Sequence, residues 1–357
     1  MRRHHLADRR ESDPTAICTD VCGVQAQVMS AAHLALWTRA RSMRRENIDA
    51  ALFDKRSIVK TKSLRMTLHL IPAAEFPSYV MAVRSCILNI FLNVAKRCGV
   101  QRREIDTMNE MFLEALRDGP LTQRELRERV RPQVSARLRK WMDLIWSPLN
   151  VAHAEGLIVY GPARGQEITL VRTDRWLGRQ RTISEDAARL NLLRWYLRVY
   201  APATPRDFAK WSGASAKDAS AAWHALKDEL VDVAGERPHL AILRKDRQEF
   251  EKAARDSVVR LLPNFDSYLL GHSEKDHVVA KSHYKKIYRA AGWISPVVLV
   301  DGRAVATWAA AKKGEGVAIN VEPFEKLTAS VREMVAAESA SMAEFLGAPV
   351  MVRFGKK

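Results

Sequence analysis

The segment Gly23-Val24-Gln25-Ala26-Gln27 holds the residues best suited to positioning a reaction. Two glutamines at i and i+2 point apart on a helix but to one side of an extended strand or turn. Gly23 beside them favours a local non-helical bend. Converging neutral amides orient a water molecule and hydrogen-bond a sugar or a base. The same spacing also fits two surface residues of a loop, so spacing alone leaves both readings open. The familiar catalytic constellations are missing: the chain has no phosphate-binding glycine loop, no HExxH pair and no nucleophile elbow. Cys18, Cys22, Cys86 and Cys98 form no CxxC pair and read as reduced thiols rather than a zinc site. No metal and no cofactor is expected.

The elements that must carry such a site are easiest to read in the middle of the chain. Met108, Met111, Phe112, Ala115 and Leu116 fall at helical spacing and end in the turn Asp118-Gly119-Pro120. Thr122 and Glu125 form a capping-box pattern that starts a short helix bearing Leu126 and Val130. A longer helical stretch then turns Val134, Leu138, Trp141, Met142 and Ile145 inward and Arg137, Arg139 and Lys140 outward, up to Pro148. Two β-rich runs, 157–160 and 168–171, follow around a turn containing Arg164. Helix, helix, basic helix, hairpin is the order of a winged helix-turn-helix.

That order recurs. Ser184 precedes a helical pattern, and Thr204-Pro205-Arg206-Asp207-Phe208 echoes Thr122-Gln123-Arg124-Glu125-Leu126 in chemistry and place. Gly213 ends that helix, Ser215 caps the next, and a hairpin over 231–243 turns at Gly235-Glu236-Arg237-Pro238. The N-terminal part fits a further copy less cleanly, with helices from Asp13-Pro14 and over 31–44. A hairpin over 58–71 then presents Lys60, Lys62 and Arg65 on a basic outer face. After Arg255 the pattern becomes strand-like at 258–262, 297–300 and 304–308, with a hairpin turn at Asp301-Gly302 and a closing helix over 325–345. The expected divisions are 1–100, 101–180, 181–250 and 251–357.

Fifty-eight Lys and Arg against forty-one Asp and Glu leave a net charge of +17. Such an excess attracts polyanions, and nucleic acid fits better than anionic lipid or a merely soluble basic surface. No apolar run reaches membrane-spanning length, and charged residues follow the N-terminus where a signal peptide would carry its apolar core. A cytoplasmic, nucleoid-associated monomer with no membrane partner is expected.

Gly23 to Gln27, followed by Ala35-Leu36-Trp37-Thr38-Arg39, resembles the signature of the winged-helix DNA glycosylases of the AlkZ/YcaQ type. Three further stretches resemble that family in order: Arg65-Met66-Thr67-Leu68-His69-Leu70, the run from Leu261 to Gly271 with its Leu-Pro-x-Phe-Asp element, and Val298 to Arg303 with Thr307-Trp308. The resemblance implies an α+β, predominantly α fold of tandem winged helix-turn-helix units around a basic concave surface. A β-rich C-terminal segment and closing helix complete it. It also implies hydrolysis of the N-glycosidic bond of bulky N7-alkylguanine or N3-alkyladenine, and unhooking of interstrand crosslinks in some members. The Gln-x-Gln form is similar to the AlkZ branch, which makes Gln25 and Gln27 the catalytic pair. His69 would orient the water, hold a backbone phosphate or serve as a satisfied hairpin histidine, and Thr67 would support it.

The implied partner is double-stranded DNA carrying alkylated bases, gripped through Arg39, Arg41, Lys60, Lys62, Arg65, Arg137, Arg139, Lys140, Arg164, Lys281, Lys285 and Lys286. No lysine is obviously placed for a Schiff base, so a monofunctional glycosylase is expected, serving general repair or self-resistance. The alternative is a winged-helix transcriptional regulator without catalysis. Regulators dimerise to match palindromic sites, and the chain carries neither a heptad seam nor a ligand domain.

Overall fold

The computed structural model describes residues 1–144, 147–235, 237–252 and 257–355. Ile145, Glu236 and Arg255, which figured in the expected elements, lie outside them. The chain forms an α+β fold of two compact units, each assembled from separated stretches. One comprises Ala50–Tyr196 and Phe208–Asp228; the other comprises Met1–Asp49, Leu197–Asp207 and Glu229–Lys357.

In the first unit the hairpin read over 58–71 is present as Ile58–Lys62 paired antiparallel with Leu68–Pro72, Thr61 opposite His69. Lys60 continues the sheet to Tyr160 in the strand Ile158–Tyr160. That strand pairs with Thr169–Arg172, which pairs in turn with the short strand Leu121–Thr122. Helix Arg102–Ala115 packs Ile105, Met108 and Phe112 inward. The capping box at Gln123–Val130 is made in full: the Thr122 N–H donates to Glu125 at 2.8 Å, and the Glu125 N–H donates to the Thr122 hydroxyl at 3.2 Å. The single long helix expected up to Pro148 is instead two, Ala136–Met142 and Ser147–Ala154. Pro148 lies in the first turn of the second, where a missing N–H does no harm. Trp141 is fully buried, and Trp195 stacks on Tyr79 with ring centroids 5.3 Å apart.

The echoed motif repeats the capping geometry. Thr204 N–H donates to Asp207 at 3.0 Å, and Asp207 N–H donates to the Thr204 hydroxyl at 3.2 Å. The proposed repeat does not stay in one compact unit, however. Helix Ala216–Ala225 belongs to the first, whereas the hairpin Leu230–Asp232 with Ala241–Leu243 belongs to the second.

The second unit is built on a sheet in the order Val350–Phe354, Gly316–Pro323, Arg303–Lys313, Val297–Val300, Val259–Leu262. Asp301 and Gly302 have φ of 49° and 85°, the left-handed pair that a two-residue hairpin turn requires. Leu6, Leu262, Leu269, Ile287, Val297, Leu299 and Phe324 form its apolar core. The expected closing helix is shorter and broken: Ala329–Ala340, capped by the Thr328 hydroxyl, then Met342–Leu346. Gly347 ends it at φ 65°, and the chain returns as Val350–Phe354, parallel to Gly316–Pro323. Toward the N-terminus, Asp13 caps helix Pro14–Asp20 by accepting from Thr15 N–H. The helix read over 31–44 runs instead from Met29 to Trp37. No single helix among the described residues is long and apolar enough to cross a membrane.

Candidate active site

Val24 and Gln25 form a short extended strand, with Cys22 and Gly23 at φ of 59° and 84° turning the chain into it. The glutamines therefore sit on the non-helical backbone that their spacing called for. Gln25 is buried at 7% exposure, whereas Gln27 is exposed just before helix Met29–Trp37.

What fixes this strand is a network that local sequence does not announce. The Ser267 hydroxyl donates to the Gly23 carbonyl at 3.1 Å. One residue earlier, Asp266 accepts from Tyr268 N–H at 2.9 Å and from both terminal nitrogens of Arg39, at 2.8 and 2.7 Å. Arg39 also donates to the Ala35 carbonyl at 2.8 Å, closing the helix that follows the glutamines. The Tyr268 hydroxyl reaches Gly302 of the hairpin turn at 3.2 Å, and Trp308 Nε1 donates to Leu262 at 2.9 Å. These bonds join the Gln-x-Gln segment, the Arg39 helix, the Leu-Pro-x-Phe-Asp element and the C-terminal hairpin. The phosphate contact expected of Arg39 is overturned: Arg39 and Asp266 are both wholly buried. A buried bidentate ion pair is a structural clamp.

The Arg-x-Thr-x-His stretch lies in the other unit and has its own geometry. Arg65 and Met66 both take left-handed φ, 53° and 61°. The tight loop is closed by Met66 N–H to Ser63 at 2.9 Å and Ser63 N–H to Thr67 at 3.1 Å. The Thr67 hydroxyl donates to the Leu64 carbonyl at 3.1 Å. His69 is 2% exposed; its Nδ1–H donates to the Thr67 carbonyl at 3.1 Å, which leaves Nε2 to accept from Arg65 at 3.5 Å. Burial, reinforced by the Arg65 charge, pushes the His69 imidazole down to about 3, so it is neutral at physiological pH. Arg65 is turned inward and donates to the Trp211 carbonyl.

Lys60 and Lys62 are half-buried, and burial holds both below the ordinary lysine range. Lys60 lies 5.9 Å from the centre of the Tyr160 ring, and Lys62 donates to Asn150 Oδ1. The outer-face basic residues of the hairpin are thus partly engaged by the protein itself. Arg137, Arg139 and Lys140 are exposed on one helix, although Arg137 pairs with Glu104 at 2.7 Å and Arg139 donates to the Val134 carbonyl at 3.0 Å. Arg164 pairs with Glu125 at 2.7 Å, and exposed Arg41 lies 3.5 Å from Glu11. Lys281 lies 3.3 Å from Asp276, while exposed Lys285 and Lys286 share the next turn.

The DNA glycosylase AlkZ-like family model matches residues 19–345. The chain belongs to this family. It is 32% identical over 319 residues to the interstrand DNA cross-link repair glycosylase of Streptomyces sahachiroi, covering 86% of this chain and 85% of that protein. The solved structure of Streptomyces sahachiroi DNA glycosylase AlkZ matches with a TM-score of 0.86 at 30% identity, over 99% of this chain and 97% of that one. As an AlkZ-like protein the chain is a DNA glycosylase, and the purely regulatory alternative falls away. Sequence reasoning alone missed Ser267 and the Arg39–Asp266 clamp. The signal available for the clamp was Asp266, a single carboxylate inside the apolar run 261–270, which needs a cation to be buried there.

Proposed function

We propose that this AlkZ-like glycosylase hydrolyses the N-glycosidic bond of bulky N7-alkylguanine or N3-alkyladenine, including bases tied into interstrand crosslinks, with Gln25 and Gln27 holding the attacking water. Alkylation at N7 or N3 makes the purine cationic. When the C1′–N9 bond breaks, its electron pair stays on N9 and neutralises the base, so little help from a general acid is needed. Water adds to C1′ of the developing oxocarbenium ion and loses a proton to solvent. Two uncharged amides, fixed in advance, order that water and face the growing positive charge with their carbonyl ends. His69 acts as a neutral acceptor rather than a cation, with the Thr67 carbonyl fixing its ring. The chemistry is monofunctional, and the chain acts as a monomer.

The observation that carries the proposal is the Gln-x-Gln strand pinned at Gly23 by Ser267, in a chain whose family is known to act on DNA. We further propose that the repeated helix–helix–hairpin pieces are tandem winged helices that meet the duplex through a basic surface. Arg41, Arg137, Arg139, Lys140, Arg164, Lys281, Lys285 and Lys286 would supply its charge, and Lys60, Lys62 and Arg65 would shape its edge. Each phosphate contact of this kind steepens the loss of affinity with salt.

The test is excision from duplex carrying 7-methylguanine or a crosslink, followed by cleavage of the abasic site. Gln27 is exposed, so Gln27→Ala should change stability far less than it changes chemistry, lowering the single-turnover excision rate by about 10²–10³-fold. Gln25→Ala should lose excision and, being a buried truncation, some stability as well. Variants as active as wild type would remove both glutamines from the chemistry.

A further inference from the structure

Among the described residues Trp293 is the only exposed tryptophan, at 44% exposure. It sits at the end of a tight turn in which residues 289–293 are all exposed. Water-facing indole is unfavourable, and here the backbone is built to hold it out. Ala291 and Gly292 take left-handed φ of 54° and 74°. Arg289 N–H donates to Trp293 at 2.8 Å, and Trp293 N–H donates to Ala290 at 3.2 Å. Tyr288 bridges Ile294 across the base of the turn, while Ile287 and Ile294 are buried beneath it. An L-residue such as Ala291 adopts that conformation only when its surroundings enforce it.

The turn is tied to the segment that carries the catalytic glutamines. Trp293 meets Phe265 edge-on, with ring centroids 5.1 Å apart. Asn264 Nδ2 donates to the Ile294 carbonyl at 3.0 Å. Phe265 itself has φ 58° and immediately precedes Asp266 and Ser267, the residues that clamp Arg39 and hold Gly23. Lys285, Lys286 and Arg289, all exposed, precede the indole by four to eight residues. An exposed aromatic face on a tightly bonded turn, with cations shortly before it in the chain, matches the chemistry that binds an unstacked base between phosphates.

We propose that Trp293 is a stacking platform for a base exposed at the lesion step of the duplex, with Lys285 and Arg289 neutralising the flanking phosphates. The proposal rests on the glycosylase reading and deepens it: Trp293 positions DNA and takes no part in bond cleavage. Catalytic groups in this family must reach a base that is normally stacked, and any unstacked neighbour needs a substitute surface.

The experiment uses the full-length protein and a duplex with 2-aminopurine beside a stable abasic-site analogue. Indole stacking quenches 2-aminopurine, so wild type should quench it on binding, Trp293→Phe should retain most of the quenching, and Trp293→Ala should lose it. Trp293→Ala should also bind this duplex about 5–150-fold more weakly, a range set by stacking of one base. Undamaged duplex should be affected far less. Trp293→Leu, which keeps an apolar cover over Phe265 but offers no π-face, should behave as Ala does, with the thermal midpoint of wild type. Quenching that survives in the Ala and Leu variants would overturn the proposal, as would equal loss of affinity for damaged and undamaged duplex. Failure of wild type to release base from alkylated DNA would instead overturn the lesion reading, and the fluorescence assay does not depend on it.

Discussion

Arg39 shows how a residue's role follows from its partners rather than its type. A guanidinium in a basic, DNA-acting chain reads as a phosphate ligand, yet Arg39 and Asp266 bury each other completely, 227 residues apart. No local pattern encodes that pairing. The non-helical bend at the Gln-x-Gln segment was legible from Gly23, whose φ is 84°; its anchor, Ser267, was not, because it arrives from a distant stretch. The clamp makes a quantitative prediction. Asp266→Asn leaves the guanidinium buried without its counter-charge and should cost about 3–5 kcal/mol of stability. The double variant Arg39→Met/Asp266→Leu should recover part of that loss, since no charge remains to be desolvated. Denaturant unfolding measures both. A stability for Asp266→Asn within about 0.5 kcal/mol of wild type, the range of ordinary surface changes, would show that the pair is not a clamp.

At the scale of elements, the features encoded locally were the ones the sequence revealed. Both capping boxes and the Asp301-Gly302 turn depend on residues at most three apart, and all are formed as read. The strand Val350–Phe354 alternates weakly, and its place is decided by parallel pairing to Gly316–Pro323, a long-range choice. The closing helix starts four residues later than expected, at the Thr328 cap, a local signal that the expectation overlooked, while its end before Gly347 lies within a residue of the expected one. Gly213 joins a local signal to a distant consequence. It was legible as a helix stop, and its φ of 83° suits one. A Cβ there would also stand 2.9 Å from the backbone N and Cα of Arg65, in the loop that presents Thr67 and His69. Gly213→Ala should therefore destabilise the protein by about 1–3 kcal/mol through left-handed strain and backbone collision. Because the loop presents His69, excision at a temperature where the variant is fully folded should fall as well. Unchanged stability and unchanged excision would mean the contact is slack.

Across the whole molecule, a chain of charge +17 keeps certain buried groups strictly neutral. His69 and His153 are each 2% exposed, in one unit, and His4 is 4% exposed in the other. Burial pushes His69 and His153 down to about 3, with nearby Arg65 and Lys62 adding to the effect. His4 is likewise held well below its ordinary value by burial and then by Arg39. Above pH 6.5 these imidazoles are neutral in both the folded and the unfolded chain, and they impose no penalty. As the pH falls below 6.5 the unfolded chain takes up protons that the folded one refuses, so stability drops until the folded values near 3 are reached. His69 and His153 each cost about 2 kcal/mol by pH 5, together a large share of the stability of an ordinary domain, and His4 acts in the same direction. Most carboxylates remain ionised over that interval; Glu338, which burial pushes up, works in the opposite direction but is a single group. The thermal midpoint should therefore fall steeply between pH 6.5 and 5, and His153→Gln, which cannot be protonated, should reduce the slope by about one proton's worth. A midpoint that stays level from pH 7.5 to 5 would mean that these sites admit a proton without unfolding. A neutral, buried His69 would then no longer hold as a description of the folded protein.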